Sequence, residues 1–214
     1  MKILAVCGAA NKTRNTATML RSAFDGAMEV DGAEGEFVYL YDIDYKGCYG
    51  CHSCKLKDPA RQGHCAIRDG LTPVLEQAID ADVLLIGSPI YYSDITGATR
   101  SFLERYLFPS MTYEADRVPM YPKRTRVGWV LTMNAPGEMY AAFSQGLVGL
   151  TERLIGESEY VMAWQTQQFD DYSKYAASRF DAQAVIKRHA EQFPKDCAEA
   201  REMGRRLAIK SLTV

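Results

Sequence analysis

The chain has 214 residues and a mass of 24.0 kDa, which suits one domain or one domain with elaborations. Hydrophobic residues make up 47% and charged residues 24%, which argues against disorder and against a coiled coil. The formal net charge is −2, so no general positive field would gather nucleic acid or anionic lipid. No apolar run is long enough to span a bilayer. We therefore expect no nucleic-acid partner and no membrane partner.

The six cysteines are unevenly placed, because four lie within residues 48–65 while Cys7 and Cys197 stand apart. The apolar stretch after Lys2 ends at Asn11, which is too short for a secretory signal, so we expect a cytoplasmic protein. In a reducing cytoplasm, clustered cysteines indicate metal or redox chemistry more often than structural disulfides. Cys7 lies within an apolar run and is expected to be a core residue.

Strand and helix patterns alternate along the chain. Apolar runs and β-rich segments bounded by turn residues predict strands at residues 2–7, 36–40, 82–87, 127–133 and 160–164. Apolar residues at helical spacing predict helices at residues 15–29, 71–79, around 102–107, and 139–155. After residue 178 the chain is predicted to be helical, with a break at residues 193–194 because proline cannot continue the hydrogen-bond ladder.

This alternation predicts a doubly wound α/β fold, with a five-stranded parallel sheet and helices on both faces. We expect one domain over residues 1–214, with a cysteine-rich insertion at about 44–69 and a helical C-terminal extension at about 178–212. Two loops are unusually long, residues 109–126 and 165–178, and such loops are often lids, binding loops or interface arms.

The loop after the first strand leads directly into a helix and carries Lys12, Arg14, Asn15 and Thr16. Doubly wound sheets bind ligands at the carboxyl ends of their strands, and a helix N-terminus favours an anion there. The loop therefore predicts a phosphate site, the alternative being a solvated turn whose Asn15 or Thr16 only caps the helix. No G-x-G-x-x-G or P-loop pattern is present, so neither of those nucleotide sites is supported.

This loop resembles the Gly-Ser-Pro-Arg-x-x-Ser-Asn-Thr phosphate loop of the NAD(P)H-dependent FMN reductase and iron–sulfur flavoprotein group. Gly8, Lys12, Asn15 and Thr16 fall at matching or equivalent positions. Residues 9–11 depart from Ser-Pro-Arg, and Arg14 is expected to compensate as a phosphate ligand.

A second segment, residues 87–97, resembles the family's Ser-Pro-Val-Tyr-aromatic loop, which precedes a helix ending in an acidic residue and arginine, here Glu104-Arg105. A third loop, residues 132–137, is expected to complete the pocket. The alternative is that Tyr91 and Tyr92 merely pack a loop. The resemblance covers about residues 2–164 and implies a flavodoxin-like fold that binds FMN, since a single phosphate loop suits FMN better than FAD. The implied FMN-binding residues are Gly8, Ala9, Lys12, Arg14, Asn15, Thr16, Pro89, Ile90, Tyr91, Tyr92, Ser93, Thr132, Met133 and Asn134.

The clustered cysteines read Cys48-x2-Cys51-x2-Cys54-x10-Cys65. A [4Fe–4S] cluster needs four thiolates, and iron–sulfur flavoproteins carry a similar but more compact run at the same place. Zinc held by four thiolates is a second hypothesis, and a loop of reduced thiols without metal is a third. The nearby histidines, His52 and His64, are expected to be bystanders, and His189 is expected to be solvated.

The resemblance implies an enzyme that passes hydride from NAD(P)H to FMN and then to a quinone, a flavin or another small acceptor. No side chain is assigned as a catalytic acid or base, because the flavin does the chemistry. One alternative is an iron–sulfur flavoprotein that exchanges electrons with a ferredoxin-like partner, and another is a non-enzymatic binding or regulatory protein.

A homodimer or homotetramer is also implied, with the loop at residues 109–126 supplying an aromatic-rich interface through Met111, Tyr113, Met120 and Tyr121. If that loop closed over the flavin, Lys123 or Arg124 could meet a nicotinamide phosphate.

Overall fold

The computed structural model describes residues 1–115 and 120–212, so residues 116–119 of the predicted long loop and residues 213–214 lie outside the described residues. The strands are β1 (Lys2–Cys7), β2 (Glu34–Tyr39), β3 (Val83–Tyr91), β4 (Asp94–Ile95), β5 (Arg126–Thr132) and β6 (Ser158–Ala163). The α-helices are α1 (Asn15–Met28), α2 (Thr72–Asp80), α3 (Gly97–Ser110), α4 (Ala141–Leu154) and α5 (Ala182–Ser211).

Five strands form a parallel sheet, as predicted, and their order is β2-β1-β3-β5-β6. The two-residue strand β4 was not predicted and pairs antiparallel with the end of β3. Cys7 lies opposite Gly87, and Thr132 lies opposite both Pro89 and Ala163, so the carboxyl ends of the central strands reach the same edge. The strand order reverses between β1 and β3, which is where sheets of this kind bind their ligands.

Helices cover both faces of the sheet and create two apolar layers. One layer packs α1 and α5 against the sheet and includes Cys7, the predicted core residue, which is fully buried. The other layer packs α2, α3 and α4 around Phe102, Tyr106 and Trp129. Within the described ranges, no helix is long and apolar enough to cross a membrane.

The predicted break at residues 193–194 is wrong, because α5 continues through Pro194 to Ser211. Phe193 stacks on His189 one turn earlier at 4.6 Å, and beyond the proline the helix buries Met203 and Leu207 on the sheet. This packing on either side holds the helical path although proline removes one backbone hydrogen bond. Similarly, Pro109 belongs to α3, so the long loop begins at Met111.

Several side chains of the loop that follows α3 turn back onto the fold. Tyr121 donates its hydroxyl to the carbonyl of Tyr106 and is half-buried. Lys123 pairs with Asp82 at 2.7 Å, and the Arg124 guanidinium donates to the carbonyl of Glu152. Asp82 precedes β3, so these cations lie at the amino-terminal edge of the sheet, opposite the predicted pocket. The expectation that they meet a nicotinamide phosphate is therefore wrong.

Candidate functional site

A cavity of about 330 Å³ opens at the carboxyl edge of the sheet, beside the reversal of strand order. Its volume lies within the range of small-molecule sites. The ends of β3 and β5, the start of α1 and the segments that follow β1, β5 and β6 form its walls. The lining residues are Ala9, Ala10, Asn11, Arg14, Asn15, Thr16, Pro89, Ile90, Tyr91, Thr132, Met133, Asn134, Thr166, Gln167 and Gln168. Most residues predicted for the flavin site therefore meet in one cavity, whereas Gly8, Lys12, Tyr92 and Ser93 do not line it.

The polar end of the cavity is the start of α1. Arg14 occupies the N-cap position without a capping side-chain hydrogen bond within the described chain, and the first turn carries no acidic residue. Thr16, in that first turn, shares a buried 2.6 Å hydrogen bond with Thr132 at the end of β5. The helix N-terminus is thus fixed against the sheet with backbone N–H groups available for an anion.

The cations of this loop are engaged by acidic neighbours. Arg14 makes a two-pronged ion pair with Asp170, with distances of 2.6 Å from Nη1 and 2.5 Å from Nη2. Lys12 pairs with Asp42 at 2.6 Å and lies over the ring of Tyr39 at 5.1 Å, outside the cavity lining. Arg14 therefore lies at the cavity with a carboxylate already bound, whereas Lys12 faces away.

The segment after β6 closes one side of the cavity and is the part that the sequence analysis did not assign. Asn15 donates to the Thr166 hydroxyl at 2.9 Å and to the Gln167 carbonyl at 3.0 Å. Asn134 donates to the Gln168 side chain at 3.0 Å. The position of this segment after a parallel strand was the signal that could have identified it, because all such ends share one edge.

His189 supports the same segment from α5, where it accepts the Gln167 backbone N–H at 3.3 Å. It is half-buried against Phe193, and burial lowers its pKa. The expectation that this histidine is solvated is therefore wrong, and it is better described as a positioning residue behind the cavity wall.

The β3–β4 hairpin forms the opposite rim. Tyr91 pairs with Asp94, and the two residues between them, Tyr92 and Ser93, have φ values of 50° and 65°. Two positive φ values are typical of a type I′ turn, which favours asparagine and glycine, so this turn holds bulkier residues under strain. Tyr91 is 59% exposed at the cavity and Tyr92 is completely exposed. The hairpin thus presents an aromatic rim to solvent.

Gly8 contributes packing rather than lining. A Cβ at this position would lie 1.8 Å from the Thr99 hydroxyl oxygen, and Thr96 donates its hydroxyl to the Gly8 carbonyl at 2.8 Å. The end of β1 can therefore approach the start of α3 this closely because residue 8 has no side chain.

Arg105 in α3 fastens the cysteine-rich segment to the fold, and its side chain is completely buried. Its guanidinium donates to Asp69 at 2.6 Å, to the carbonyls of Ile67 and Lys46 at 3.0 and 3.1 Å, and to the Cys65 sulfur at 3.4 Å. Burial alone would raise the pKa of Asp69, but hydrogen bonds from Arg105 and from two backbone N–H groups lower it below its ordinary value. The insertion is thus fixed around one buried cation.

The four clustered thiols have different surroundings. Cys54 is buried, Cys48 and Cys65 are half-buried, and Cys51 is exposed. Burial raises the pKa of Cys54, the Lys55 ammonium opposes this shift, and Cys65 and Cys48 add to it. Across residues 1–115 and 120–212, no group of three or more histidine, cysteine or acidic side chains is placed to hold a metal ion. In this structure the four thiols are therefore not gathered around a common metal position.

The chain is similar in sequence to curated iron–sulfur flavoproteins. An iron–sulfur flavoprotein from Archaeoglobus fulgidus is 34% identical over 105 residues, covering 49% of this chain and 48% of that protein. Another, from Methanocaldococcus jannaschii, is 30% identical over 105 residues, covering 49% and 51%. The chain therefore spans about half the length of the curated relatives it matches.

Among solved structures, an NAD(P)H:quinone oxidoreductase from Methanothermobacter marburgensis superposes with a TM-score of 0.68 at 15% identity, covering 97% of this chain and 96% of that one. At this identity the likeness shows the fold, which is flavodoxin-like. The family model described as NADPH-dependent FMN reductase matches residues 1–123, which is more than half of the chain. The protein therefore belongs to the NADPH-dependent FMN reductase family.

Proposed function

We propose that this protein is an FMN-dependent oxidoreductase that takes a hydride from NAD(P)H and delivers electrons to a small acceptor such as a quinone or a flavin. The observation that carries the proposal is the cavity at the strand reversal, with the uncapped start of α1 at one end and an aromatic rim at the other. This combination suits a flavin mononucleotide, because its phosphate is anionic while its flat ring system has aromatic faces and an apolar dimethylbenzene end.

The residues present fit FMN. The N–H groups of the first turn of α1, with the side chain of Thr16, would hold the phosphate, while the Asn15 amide holds the loop after β6 beside it. Pro89, Ile90 and Met133 supply an apolar wall for the ring, and Tyr91 lies at its open side. When bound, FMN supplies the hydride chemistry, and these side chains bind and orient it.

In this proposal Arg14 has two alternative partners, the Asp170 carboxylate and the FMN phosphate. Its guanidinium already binds the Asp170 carboxylate in a bidentate geometry that a phosphate could also accept. FMN and Asp170 would therefore compete for Arg14. Since Asp170 belongs to the loop after β6, the competition couples phosphate binding to the position of that loop.

The test is a titration of the purified protein with FMN, riboflavin and FAD, followed by quenching of flavin fluorescence. We expect saturable 1:1 binding of FMN and weaker binding of riboflavin, because riboflavin lacks the phosphate. Thr16→Val should weaken FMN more than riboflavin, whereas Thr18→Val, two residues further along α1 and exposed, should change neither. Equal affinity for FMN and riboflavin would contradict the phosphate assignment.

The curated relatives are iron–sulfur flavoproteins, which favours a second candidate function of this kind. The ferredoxin-like partner of this candidate is what the family resemblance implies. Cys48 and Cys65 both raise the pKa of Cys54, whereas Cys51 is exposed. Anaerobic purification followed by iron and sulfide analysis tests this candidate. Stoichiometric iron that is lost in Cys54→Ser and retained in Cys197→Ser would support it, and iron-free protein would exclude it.

The homodimer or homotetramer implied by the family resemblance is part of this proposal. Tyr121 packs inward, so the exposed Tyr113 and the half-buried Met111 and Met120 remain of the expected interface in the described part of the loop. Sedimentation equilibrium of the wild type and of Tyr113→Ser tests the assignment. An unchanged assembly mass would remove Tyr113 from the interface.

A further inference from the structure

A second cavity, of about 500 Å³, adjoins the first on the side of the C-terminal extension. It lies between the loop after β5, the end of β6 and the first turns of α5. Asn134 lines both cavities, and Gln165 in the second directly precedes Thr166 in the first. A ligand that reaches from one cavity to the other would therefore pass Asn134.

Arg188 lines this second cavity with its guanidinium held flat. The group stacks over the ring of Trp164 at 3.7 Å, and one terminal nitrogen reaches the Trp164 carbonyl at 3.5 Å. The Nε atom is buried and has no hydrogen-bond partner among the residues that the structure describes. A buried donor without a partner costs free energy, and an acceptor that binds beside it would remove that cost.

A second cation, Arg179, lies on the same cavity wall and is exposed. No hydrogen bond or ion pair holds its guanidinium within residues 1–115 and 120–212. The nearest acidic side chain along the chain, Asp181, is occupied as the N-cap of α5, where it accepts the Ala184 N–H at 3.0 Å. Two guanidinium groups thus line a cavity in which the adjacent carboxylate is already engaged.

The backbone at the junction of the two cavities is also unusual. Gln165 has a φ of 50°, a left-handed conformation that costs energy for a residue with a side chain. This turn directs the chain from β6 into the wall of the first cavity and leaves Gln165 facing the second. The strain therefore occurs where a ligand shared by both cavities would cross.

We propose that this second cavity binds the phosphate groups of the nicotinamide dinucleotide, with Arg188 and Arg179 as the anion-binding residues. The proposal rests on the proposed function, since the nicotinamide end must reach the flavin in the first cavity. Arginine suits this role because its planar donors match phosphate oxygens, and stacking on Trp164 orients the group beforehand. The proposal replaces Lys123 and Arg124, which the fold places at the opposite edge of the sheet.

The test uses FMN-loaded protein titrated with the unreactive oxidised dinucleotides NADP⁺ and NAD⁺, with binding measured by isothermal titration calorimetry. Arg179→Gln is the primary variant, because its side chain is exposed and supports no other contact within the described residues. Arg188→Gln is the second variant, and Arg205→Gln, on the exposed face of the same helix, is the control. We expect each cavity variant to bind about tenfold more weakly and the control to match the wild type.

The two dinucleotides separate the two possible phosphate sources. If the variants bind only NADP⁺ more weakly, the arginines bind the 2′-phosphate. If they bind both dinucleotides more weakly, the arginines bind the pyrophosphate. Unchanged affinity for both in Arg179→Gln and Arg188→Gln would overturn the inference. FMN titration of the same variants distinguishes the two proposals. If the variants bind FMN normally and their affinity for the dinucleotides is unchanged, only the proposed phosphate site is contradicted.

Discussion

Replacing Arg105 by methionine tests how the cysteine-rich segment is attached. The guanidinium is completely buried and binds Asp69, two backbone carbonyls and the Cys65 sulfur, all within that segment. Methionine retains much of the apolar volume but removes every donor, so the Asp69 carboxylate, which is 19% exposed, loses its cation. Breaking a buried pair in this way costs about 3–5 kcal/mol. For a domain of this size that corresponds to about 1–2 M in the urea midpoint.

The control is Arg100→Met on the same helix. Arg100 also pairs with an aspartate, Asp94 at 2.5 Å, but both side chains are more than a third exposed. Solvent screening makes such a pair worth less than about 1 kcal/mol. Urea unfolding followed by circular dichroism measures both variants, and thiol labelling of the native proteins reports whether Cys54 and Cys65 become accessible. A loss in Arg105→Met no larger than in Arg100→Met, with unchanged labelling, would refute the account of this attachment.

Three further predictions follow from the same structure. Gly8→Ala should destabilise by about 1–3 kcal/mol, because its Cβ would clash with Thr99, whereas Gly146→Ala in α4 meets nothing within 4 Å and should stabilise slightly in thermal unfolding. Because folding lowers the pKa of Asp69, the stabilisation from its ionised carboxylate is present above the unfolded-state pKa of about 3.9 and is lost as pH falls through the folded-state pKa. Labelling of Cys65 by an acid-tolerant disulfide reagent should therefore accelerate below about pH 4. Asp170→Asn should tighten FMN binding several-fold by releasing Arg14, and an unchanged Kd would show that they do not compete.

The sheet and its order of elements could be predicted because parallel strands buried on both faces leave continuous apolar runs. The run at β1 was bounded correctly to the residue, and β3 was extended by the hairpin that sequence patterns did not indicate. The helix through Pro194 could not be predicted from local propensity. Its continuity depends on packing against α1 and the sheet, which is a property of the tertiary fold.

The candidate site, like the fold, could be predicted from the sequence only in part. The loops after β1 and β3 were found through family motifs and the loop after β5 through its place at the end of a strand, and most of their named residues line one cavity. The partners of Lys12 and Arg14 were not foreseen, because Asp42 and Asp170 are distant in sequence and lie beside these cations through the fold alone. The arginines of the second cavity were missed for a similar reason, since no local pattern distinguishes Arg188 from any other arginine on a polar helix.

The central claim is hydride transfer from a nicotinamide to FMN held at the carboxyl edge of the sheet. Anaerobic mixing of the FMN-loaded protein with one equivalent of NADPH or NADH, followed by its visible spectrum, tests this claim directly. We predict that the flavin absorbance bleaches fully and that one equivalent of oxidised dinucleotide forms for each flavin reduced. A flavin that stays oxidised with both dinucleotides, yet is reduced by dithionite, would contradict the account.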